Sequence, residues 1–579
     1  MAPLTPPPDR GGWWHDYVCP VHGTELAHGD LLSGTFPADG AACRHGCRID
    51  TPPVRGAWTV LAHQACALRL RHLAASADPA DRDAALVGLE RYAELYAELT
   101  ADGERHAGAQ SWMLRGRMFH QALTEAIWAV SIGHAVRSLT ERGEGERLAA
   151  IRPMLETLAT VAEKARAELA AQGKESSNYT AWLDAAAAVC GGGPDPALRG
   201  HPQLATRPDG WEWEGSTYYH LFVLRAYLLA LRGTDPAALP AETVERLAAM
   251  IAALAGIATA YGELPELHDG PYRRTGALAE LHEICLLAHQ LFAGEPLVAV
   301  VGWTAARTPQ PPADLEGWFS GVPLPWPRPA ATADPGVHRI FPDAGFAVVR
   351  AGGIHAVLDA GPHGGSHGHQ DKLSLYLYGD EGAAWQPDPG QAPYGHRHFR
   401  RYYASAAAHP AFSVDGLDQQ PVDARLSSAG SGECTGAYDG VTATRALTAG
   451  PGYLLDILTI EADRDRTLTA HLRPAVPLKV VAAPGGQVRT TWGEADGPVL
   501  IGHHAASAHA EFALRPHPGP ADDPTAIRQG SDWSVHGTRA VFASAYASGR
   551  SPVRELRLTD DGVTVRLDDG SAHHHATGA

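Results

Sequence analysis

The chain has 579 residues, of which 45% are hydrophobic and 19% are charged, and its net charge is −18 with neutral histidines. A single hydrophobic core rarely grows beyond about 300 residues, so this length predicts two or three domains. The acidic charge argues against a nucleic-acid-binding surface, and no apolar run approaches the roughly 20 residues of a membrane-spanning helix. Seven cysteines are too few for a disulfide framework. The first 20 residues carry prolines and charges where a secretory signal has an apolar core, so we expect a cytoplasmic protein.

Residues 1–56 are predicted to form an N-terminal segment with a metal site of its own. Two residues separate Cys19 from His22, and three residues separate Cys43 from Cys47. Thiolate and imidazole ligands paired in this way suit tetrahedral zinc, which would here be structural. The alternative is that the cysteines are reduced, half-buried and without a ligand.

Residues 57–322 place apolar side chains at intervals of three and four, which predicts a succession of helices. Segments such as DRDAALVGLERYAELYAEL and TVERLAAMIAALAGIATAYGEL are rich in Ala, Leu and Arg, and Gly, Pro and Asp separate them. These intervals favour antiparallel helix pairs, arranged as a solenoid or as a closed toroid. No fixed sequence period is present, so a regular helical repeat is not supported.

The composition changes after residue 322. Residues 323–336, PLPWPRPAATADPG, contain five prolines and are predicted to be a linker. Residues 337–570 contain short, β-branched or alternating segments between turn residues, which is typical of an antiparallel β-sandwich. Residues 571–579, SAHHHATGA, are expected to form a disordered tail. The predicted fold class is therefore multidomain α+β, with a helical domain followed by a β-sandwich.

A cluster of histidines marks the start of the β-rich part. His367 and His369 would share one face of an extended segment, with Asp371 next along that face. Asp388 and His409 follow in neighbouring segments, so that His369, Asp388 and His409 are predicted to converge on one metal ion. Two imidazoles and a carboxylate are common ligands of zinc, iron or manganese. The alternative for any single histidine is an ordinary hydrogen-bonded residue.

Motifs in both halves of the chain resemble those of heparinase II/III-type polysaccharide lyases. The β-rich part has H-x-H-x-D-x-x-S from residue 367, then D-P-G from 388, a Tyr, and A-x-H before a segment that ends V-D-G at 416. Upstream, SSNYTAW and DGWEWEGSTYYHLFVLRAY are similar to segments that carry an active-site Asn and a catalytic Tyr in that family. The resemblance covers most of residues 110–420 and implies an (α/α) toroid followed by an antiparallel β-sandwich. One departure is Pro410, which stands where the family usually has Asn.

The resemblance implies cleavage beside a uronic acid by β-elimination. It assigns Asn178 and His367 to neutralising the carboxylate, and Tyr219 to the acid/base role, with Tyr394 as a supporting catalytic candidate. The ion bound by His369, Asp388 and His409 is expected to be zinc, and the resemblance implies that it is structural. From the residues alone, Asn178 is equally suited to a helix N-cap, and Tyr219 to packing in a helical core.

The run YGHRHFRRYY supplies a basic surface in an otherwise acidic chain. Arg397 and Arg400, with Tyr218, are predicted to bind substrate, and Arg401 lies beside them. The expected substrates are uronic-acid polysaccharides or oligosaccharides, either glycosaminoglycans such as hyaluronan, chondroitin and heparan sulfate, or alginate. A homodimer is a further option, whereas nucleic acid and membranes are not expected partners.

Two other functions remain open from the sequence. A non-haem iron oxygenase would present His369 and Asp371 with a distal histidine as its facial triad. A non-catalytic carbohydrate-binding protein would need neither the clustered histidines nor the Asn and Tyr segments.

Overall fold

The computed structural model describes most of the chain. It covers residues 4, 6–99, 113–191, 198, 200–270, 276–292, 297–307, 338–379, 382–482, 487–494, 496–507 and 509–576. The linker predicted at 323–336 lies outside these residues. Among the described helices, none is long and apolar enough to cross a membrane.

The N-terminal part is helical, as the three- and four-residue periodicity predicts. Ten of the described helices precede the sheets and one interrupts them. They are α1 Pro52–Ala75, α2 Pro79–Glu98, α3 Ala122–Glu141, α4 Arg152–Ala171, α5 Asn178–Gly191, α6 His201–Ala205, α7 Thr217–Ala230, α8 Ala241–Ile257, α9 Ala277–Phe292, α10 Val298–Arg307 and α11 Arg397–Tyr403. The first helix begins at Pro52, five residues before the predicted boundary, because Thr51 caps it and proline is favoured in the first turn.

The helices form two layers. The odd-numbered helices α1, α3, α5, α7 and α9 contact one another mainly in chain order, and each also packs on the even-numbered helix that follows it. Residues of α3, α5 and α7 are mostly buried, whereas α2, α4 and α8 keep one polar face in water. Arg71 of α1 forms a buried ion pair with Glu283 of α9, which joins the first and last inner helices. Burial opposes ionisation, but Arg71 and Arg225 lower the pKa of Glu283 to about 2.

The strands after residue 338 form three antiparallel sheets, and a two-stranded ribbon precedes them. The strands are β1 Ala41–Ala42, β2 Arg48–Ile49, β3 Arg339–Phe341, β4 Phe346–Ala351, β5 Ile354–Asp359, β6 Leu375–Gly379, β7 Ala384–Gln386, β8 Phe412–Val414, β9 Arg425–Leu426, β10 Gly432–Thr435, β11 Val441–Gly450, β12 Tyr453–Leu472, β13 Leu478–Ala482, β14 Val488–Trp492, β15 Leu500–Ala506, β16 Glu511–Pro518, β17 Ile527–Ser548, β18 Val553–Thr559, β19 Gly562–Leu567 and β20 Ala572–Ala576. Strands β3–β7 form a five-stranded sheet in chain order, β8–β17 a ten-stranded sheet, and β18–β20 a three-stranded sheet.

The five-stranded sheet is covered on both faces, which explains the unbroken apolar pattern of its strands. Phe346 and Val348 of β4 belong to the core of the helical domain. Their neighbours Ala347 and Val349 point the other way, into a core shared with Leu454 of the ten-stranded sheet. The layers are therefore helices, five-stranded sheet, ten-stranded sheet and three-stranded sheet, and loops of the five-stranded sheet reach the helical domain.

The expectation of a disordered tail is wrong for residues 572–576. This segment forms β20 and pairs with β19, from Ala572 opposite Arg566 to Ala576 opposite Gly562. His575 also lies 3.1 Å from the hydroxyl of Tyr453 through its Nε2 atom. Exposure alternates along AHHHA as in an edge strand, but three identical residues in a row give no such alternation in the sequence. Residues 577–579 lie outside the described part.

Candidate active site

A cavity of about 990 Å³ lies between the helical domain and the loops of the β domain. Its volume is at the upper end of the roughly 300–1,000 Å³ typical of small-molecule sites. All seven residues that the sequence predicts as catalytic or substrate-binding line it, namely Asn178, Tyr218, Tyr219, His367, Tyr394, Arg397 and Arg400. The fold thus brings together residues that are up to 222 positions apart between Asn178 and Arg400.

One carboxylate joins the predicted Asn and His. Asn178, the first residue of α5, donates from Nδ2 to both oxygens of Glu214, at 3.3 and 3.4 Å. The Nδ1 atom of His367 lies 2.8 Å from Oε2 of Glu214. Because a carboxylate accepts hydrogen bonds, Nδ1 of His367 is the donor in this contact, and a ring with a single proton then has its lone pair on Nε2.

Helix capping sets the position of Tyr219. Ser216 is the N-cap of α7, and its hydroxyl accepts a hydrogen bond from the backbone N–H of Tyr219 at 3.2 Å. The same hydroxyl donates to the backbone oxygen of Asp269 at 2.6 Å. The phenol ring of Tyr219 then stacks on the imidazole of His367, with ring centres 3.6 Å apart and an interplanar angle of 14°. The two predicted groups therefore lie side by side.

The hydroxyl of Tyr219 begins a chain of hydrogen bonds that crosses between the domains. It lies 2.7 Å from the hydroxyl of Tyr394, which donates to Oδ2 of Asp269 at 2.8 Å. Arg400 completes the chain, since its Nη2 atom is 3.1 Å from the same oxygen of Asp269. Burial, followed by the charge of Asp269, raises the pKa of both Tyr219 and Tyr394 well above the ordinary value. Both phenols are therefore neutral at physiological pH.

The predicted metal ligands also converge, on the β-domain side of the cavity. Nδ1 of His369 lies 3.2 Å from Nε2 of His409, and Oδ1 of Asp388 lies 3.6 Å from that same Nε2. Asp371 is a fourth donor, with Oδ2 at 3.8 Å from Nε2 of His409. All donor atoms lie within 4.8 Å of one another. We call these four residues, His369, Asp371, Asp388 and His409, the β-domain cluster.

The surroundings of the β-domain cluster fit a divalent cation. His409 uses Nδ1 to donate to the backbone oxygen of Ser405 at 2.9 Å, which leaves the lone pair of Nε2 facing the cluster. Oδ2 of Asp371 faces the cluster and is oriented by a hydrogen bond from the hydroxyl of Tyr376 at 2.9 Å. Burial acts against charge on His409, yet Asp388 and Asp371 raise its pKa to about 9, so that without an ion Nε2 carries a proton, whose place a divalent cation would take.

A neighbouring group of potential ligands is already neutralised by a lysine. His268, Asp359 and Asp371 lie together, but the ammonium of Lys372 is 2.8 Å from Oδ2 of Asp359 and 3.8 Å from Oδ1 of Asp371. Lys372 is only 1% exposed. A buried cation therefore occupies the position that a second metal ion would need.

The comparisons with known proteins concern the β domain and the fold of the chain. Residues 334–570 match the model of the heparinase II/III-like C-terminal family. This match spans the β-rich part of the chain as far as β19. No curated protein sequence matches the chain significantly.

Solved structures match the β domain and the helical domain together. A heparinase III has a TM-score of 0.63 at 12% identity, over 90% of this chain and 85% of that one. A heparan sulfate lyase HepC mutant from Pedobacter heparinus has a TM-score of 0.60 at 15% identity, over 94% and 85%. The Streptomyces coelicolor chondroitin AC lyase in complex with chondroitin sulphate has a TM-score of 0.52 at 12% identity, over 90% and 80%. The predicted fold of helical toroid and β-sandwich is thereby confirmed.

Sequence reasoning missed two carboxylates that organise the site, Glu214 and Asp269. Glu214 lies within the segment that carries Tyr219, but nothing in its spacing points to Asn178 and His367. Asp269 follows His268, which has a positive φ of 60° and donates its backbone N–H to Asp388 at 3.1 Å. The sequence predicts Asp371 as a metal ligand only under the alternative of an iron oxygenase. The sequence signals that could have pointed to them are the acidic-aromatic segment WEWE, which ends at Glu214, and the segment HDG, which contains Asp269.

Proposed function

We propose that this protein is a polysaccharide lyase that cleaves uronic-acid-containing poly- or oligosaccharides by β-elimination. The observation that carries the proposal is the stacked pair of Tyr219 and His367 in a cavity between the two domains. The names of the structurally similar proteins, heparinase III, heparan sulfate lyase and chondroitin AC lyase, support the same class of reaction.

The reaction requires three catalytic functions from the protein, namely charge stabilisation, a base and an acid. The proton on C5 of the uronic acid is too weakly acidic to be removed unless the neighbouring carboxylate is neutralised, so negative charge must be stabilised there. A base must then take the C5 proton, and an acid must protonate the oxygen that leaves C4. The C4–O bond breaks as the C4–C5 double bond forms.

The geometry supports His367 as the base and Tyr219 as the acid. The hydrogen bond to Glu214 fixes the proton of His367 on Nδ1 and leaves Nε2 free to accept the C5 proton. Tyr219 has a raised pKa and is a neutral phenol, which is the form that can donate to the leaving oxygen. After cleavage, the imidazolium loses the C5 proton to solvent water and the phenolate of Tyr219 takes a proton from it, which restores both groups.

Asn178 keeps the role that the sequence predicted for it. Its amide has two N–H groups, of which Glu214 needs one, so the other is available to the substrate carboxylate. His367, predicted as a second neutralising group, adds positive charge beside the same carboxylate once it has accepted the C5 proton. Tyr394 supports Tyr219 through the hydrogen bond between their hydroxyls.

We assign the β-domain cluster to a structural divalent ion, zinc being the best fit for two imidazoles and two carboxylates. The four side chains are at most 1% exposed, and none of them is among the residues that line the cavity. The ion would therefore hold His369, and with it His367 two residues earlier, without contacting substrate. The same burial disfavours the iron oxygenase, whose metal must meet both oxygen and substrate.

Acidic sugars are the expected ligands because cationic side chains line the cavity in a strongly acidic chain. Arg397 and Lys174 are exposed at its wall, and Arg400 lies over the ring of Tyr394 at 4.1 Å. Tyr218 and Phe222 stack at 5.8 Å and offer an apolar face on which a sugar ring can lie.

A direct test is to screen alginate, hyaluronan, chondroitin and heparan sulfate for the near-ultraviolet absorbance of an unsaturated uronic acid. We expect an absorbance rise on one of these classes without oxygen or a reductant. Tyr219→Phe should lower kcat/KM by about 10²- to 10⁴-fold, whereas Tyr402→Phe, a matched loss of hydroxyl outside the cavity lining, should not. No absorbance change on any of the four polymers would contradict the proposed activity.

A further inference from the structure

A second cluster of metal-binding side chains lies in the N-terminal segment, away from the β-domain cluster. The sulfurs of Cys19, Cys43 and Cys47 lie 3.4, 3.6 and 3.5 Å from one atom, Nδ1 of His22. All seven cysteines of the chain are free thiols, so no disulfide uses these sulfurs. We call these four residues the Cys₃His cluster.

The distances within the Cys₃His cluster are those of a tetrahedron around one ion. Zinc binds thiolate sulfur at about 2.3 Å and imidazole nitrogen at about 2.0–2.1 Å, which places the two ligands about 3.5 Å apart at the tetrahedral angle. Ordinary hydrogen bonding does not explain the arrangement, because one ring nitrogen can pair with only one thiol. Three sulfurs around a single nitrogen therefore point to an ion between them.

The backbone around the Cys₃His cluster has the form of two metal-binding turns. Cys19 accepts a backbone hydrogen bond from Gly23 at 2.9 Å, and Cys43 accepts one from Gly46 at 2.9 Å. Both glycines have positive φ, 68° and 91°, which a turn this tight requires. The backbone N–H of His45 also points at the sulfur of Cys43, at 3.5 Å, as a ligand thiolate needs.

Residues next to the Cys₃His cluster in the chain contact three parts of the β domain. Gly23 packs against the ring of Phe399 in α11. On the other side, Nε2 of His45 lies 3.6 Å from Asp523 in the loop between β16 and β17. Between these contacts, the backbone oxygen of His15 accepts a hydrogen bond from Gly395 at 3.2 Å.

The residues just before Cys19 form part of the cavity wall. Trp13, Trp14 and His15 line the cavity, and the ring of His15 meets that of Tyr394 edge to face at 4.4 Å. We propose that Cys19, His22, Cys43 and Cys47 bind one zinc ion, and that this ion fastens the wall formed by residues 13–15 against α11 and Tyr394. This site is separate from the proposed chemistry, and its binding is measured without any substrate.

The test is metal analysis of the full-length protein after dialysis against metal-free buffer. Cys47→Ser should lower the zinc content by one ion per chain relative to the wild type, and Cys66→Ser, a buried cysteine outside the cluster, should not change it. Cobalt in place of zinc should give thiolate-to-cobalt charge-transfer absorbance in the wild type and in His409→Ala, and none in Cys47→Ser. Equal zinc content in Cys47→Ser and the wild type would overturn the proposal.

A measurement on the wild type covers the case in which Cys47→Ser does not fold. Titration with an organic mercurial should release one zinc ion as three thiols react, and trypsin should then cut faster at Arg44 and Arg48, which are exposed in this segment. Release of no zinc, or a disulfide between two of the three cysteines in the native protein, would equally overturn the proposal.

Discussion

Glu214 is the residue on which the proposed roles of its two neighbours depend. Glu214→Gln removes the charge that holds the proton on Nδ1 of His367, and the amide can present an N–H there instead. We expect kcat to fall by about 10²- to 10⁴-fold with little change in KM, because the base is then in the wrong tautomer. The matched control is Glu280→Gln, a carboxylate of the cavity wall that pairs with Arg225 at 3.3 Å. Equal activity of the two variants would remove Glu214 from this role.

The raised pKa of Tyr219 makes a prediction about pH. As an acid, Tyr219 must be protonated, and a pKa raised by burial keeps it protonated as the pH rises. We therefore expect kcat/KM to stay level between about pH 8 and about pH 10, where an ordinary tyrosine begins to ionise. If Tyr219 were instead the base, kcat/KM would climb throughout this range. A pH profile of kcat/KM distinguishes the two roles.

At the scale of elements, the loop between β5 and β6 depends on a glycine to reach the helical domain. Gly364 has a φ of 80°, and a Cβ atom there would overlap the backbone oxygen of Glu214. Gly364→Ala should push His367 away from its partners, and a misplacement near 1 Å can cost about 10²-fold in rate. The expected result is a loss of kcat/KM of that order with the zinc content unchanged.

Gly549→Ala is the control for Gly364→Ala. Gly549 also has a positive φ, of 73°, but no atom lies within 4 Å of the position of a Cβ. Both variants carry the same backbone strain of about 1–2 kcal/mol, and only Gly364→Ala meets a neighbour. Similar losses of activity in the two variants would show that strain, and not the contact with Glu214, is responsible.

The elements themselves were predictable to different degrees. The helices of residues 57–322 follow from a periodicity that each helix carries within itself, so the sequence shows it directly. Strand β20 was missed because an edge strand exists only through pairing with β19, and its histidines suggested no apolar face. The interpretation of Asn178 as a helix N-cap is wrong, because Asn178 is the first residue inside α5 and its Oδ1 atom accepts no hydrogen bond, whereas its amide donates to Glu214 in the cavity wall.

At the scale of the whole molecule, the β-domain cluster lies where the two domains meet. Asp388 accepts a hydrogen bond from the backbone of His268, and the backbone oxygen of His367 accepts one from Asp269 at 3.1 Å. The segment at 268–269 belongs to the helical domain, so an ion in the cluster would stabilise the contact between domains as well as the loop.

Loss of that ion should therefore lower thermal stability. His409→Ala removes an imidazole ligand of the ion and the cationic partner of the buried Asp388, at a cost of about 3–5 kcal/mol. We expect a clearly lower Tm for this variant and a smaller further decrease on adding a chelator than the wild type shows. His471→Ala, a buried histidine hydrogen-bonded to Ser413 at 2.9 Å, should keep the wild-type response to chelator. Calorimetry with and without chelator measures both, and identical chelator responses would contradict a metal at His409.

The sequence by itself determined the order of a helical and a β domain, two groups of candidate metal ligands and seven of the residues that line the cavity. These are local patterns, since periodicity, ligand spacing and short motifs are carried by neighbouring residues. Only the tertiary structure decided that Glu214 joins Asn178 to His367, that Asp269 accepts the hydrogen bond of Tyr394, and that Lys372 replaces a second ion. Those contacts join residues far apart in the chain, and a buried charge acquires its role only from the partners that the fold places beside it.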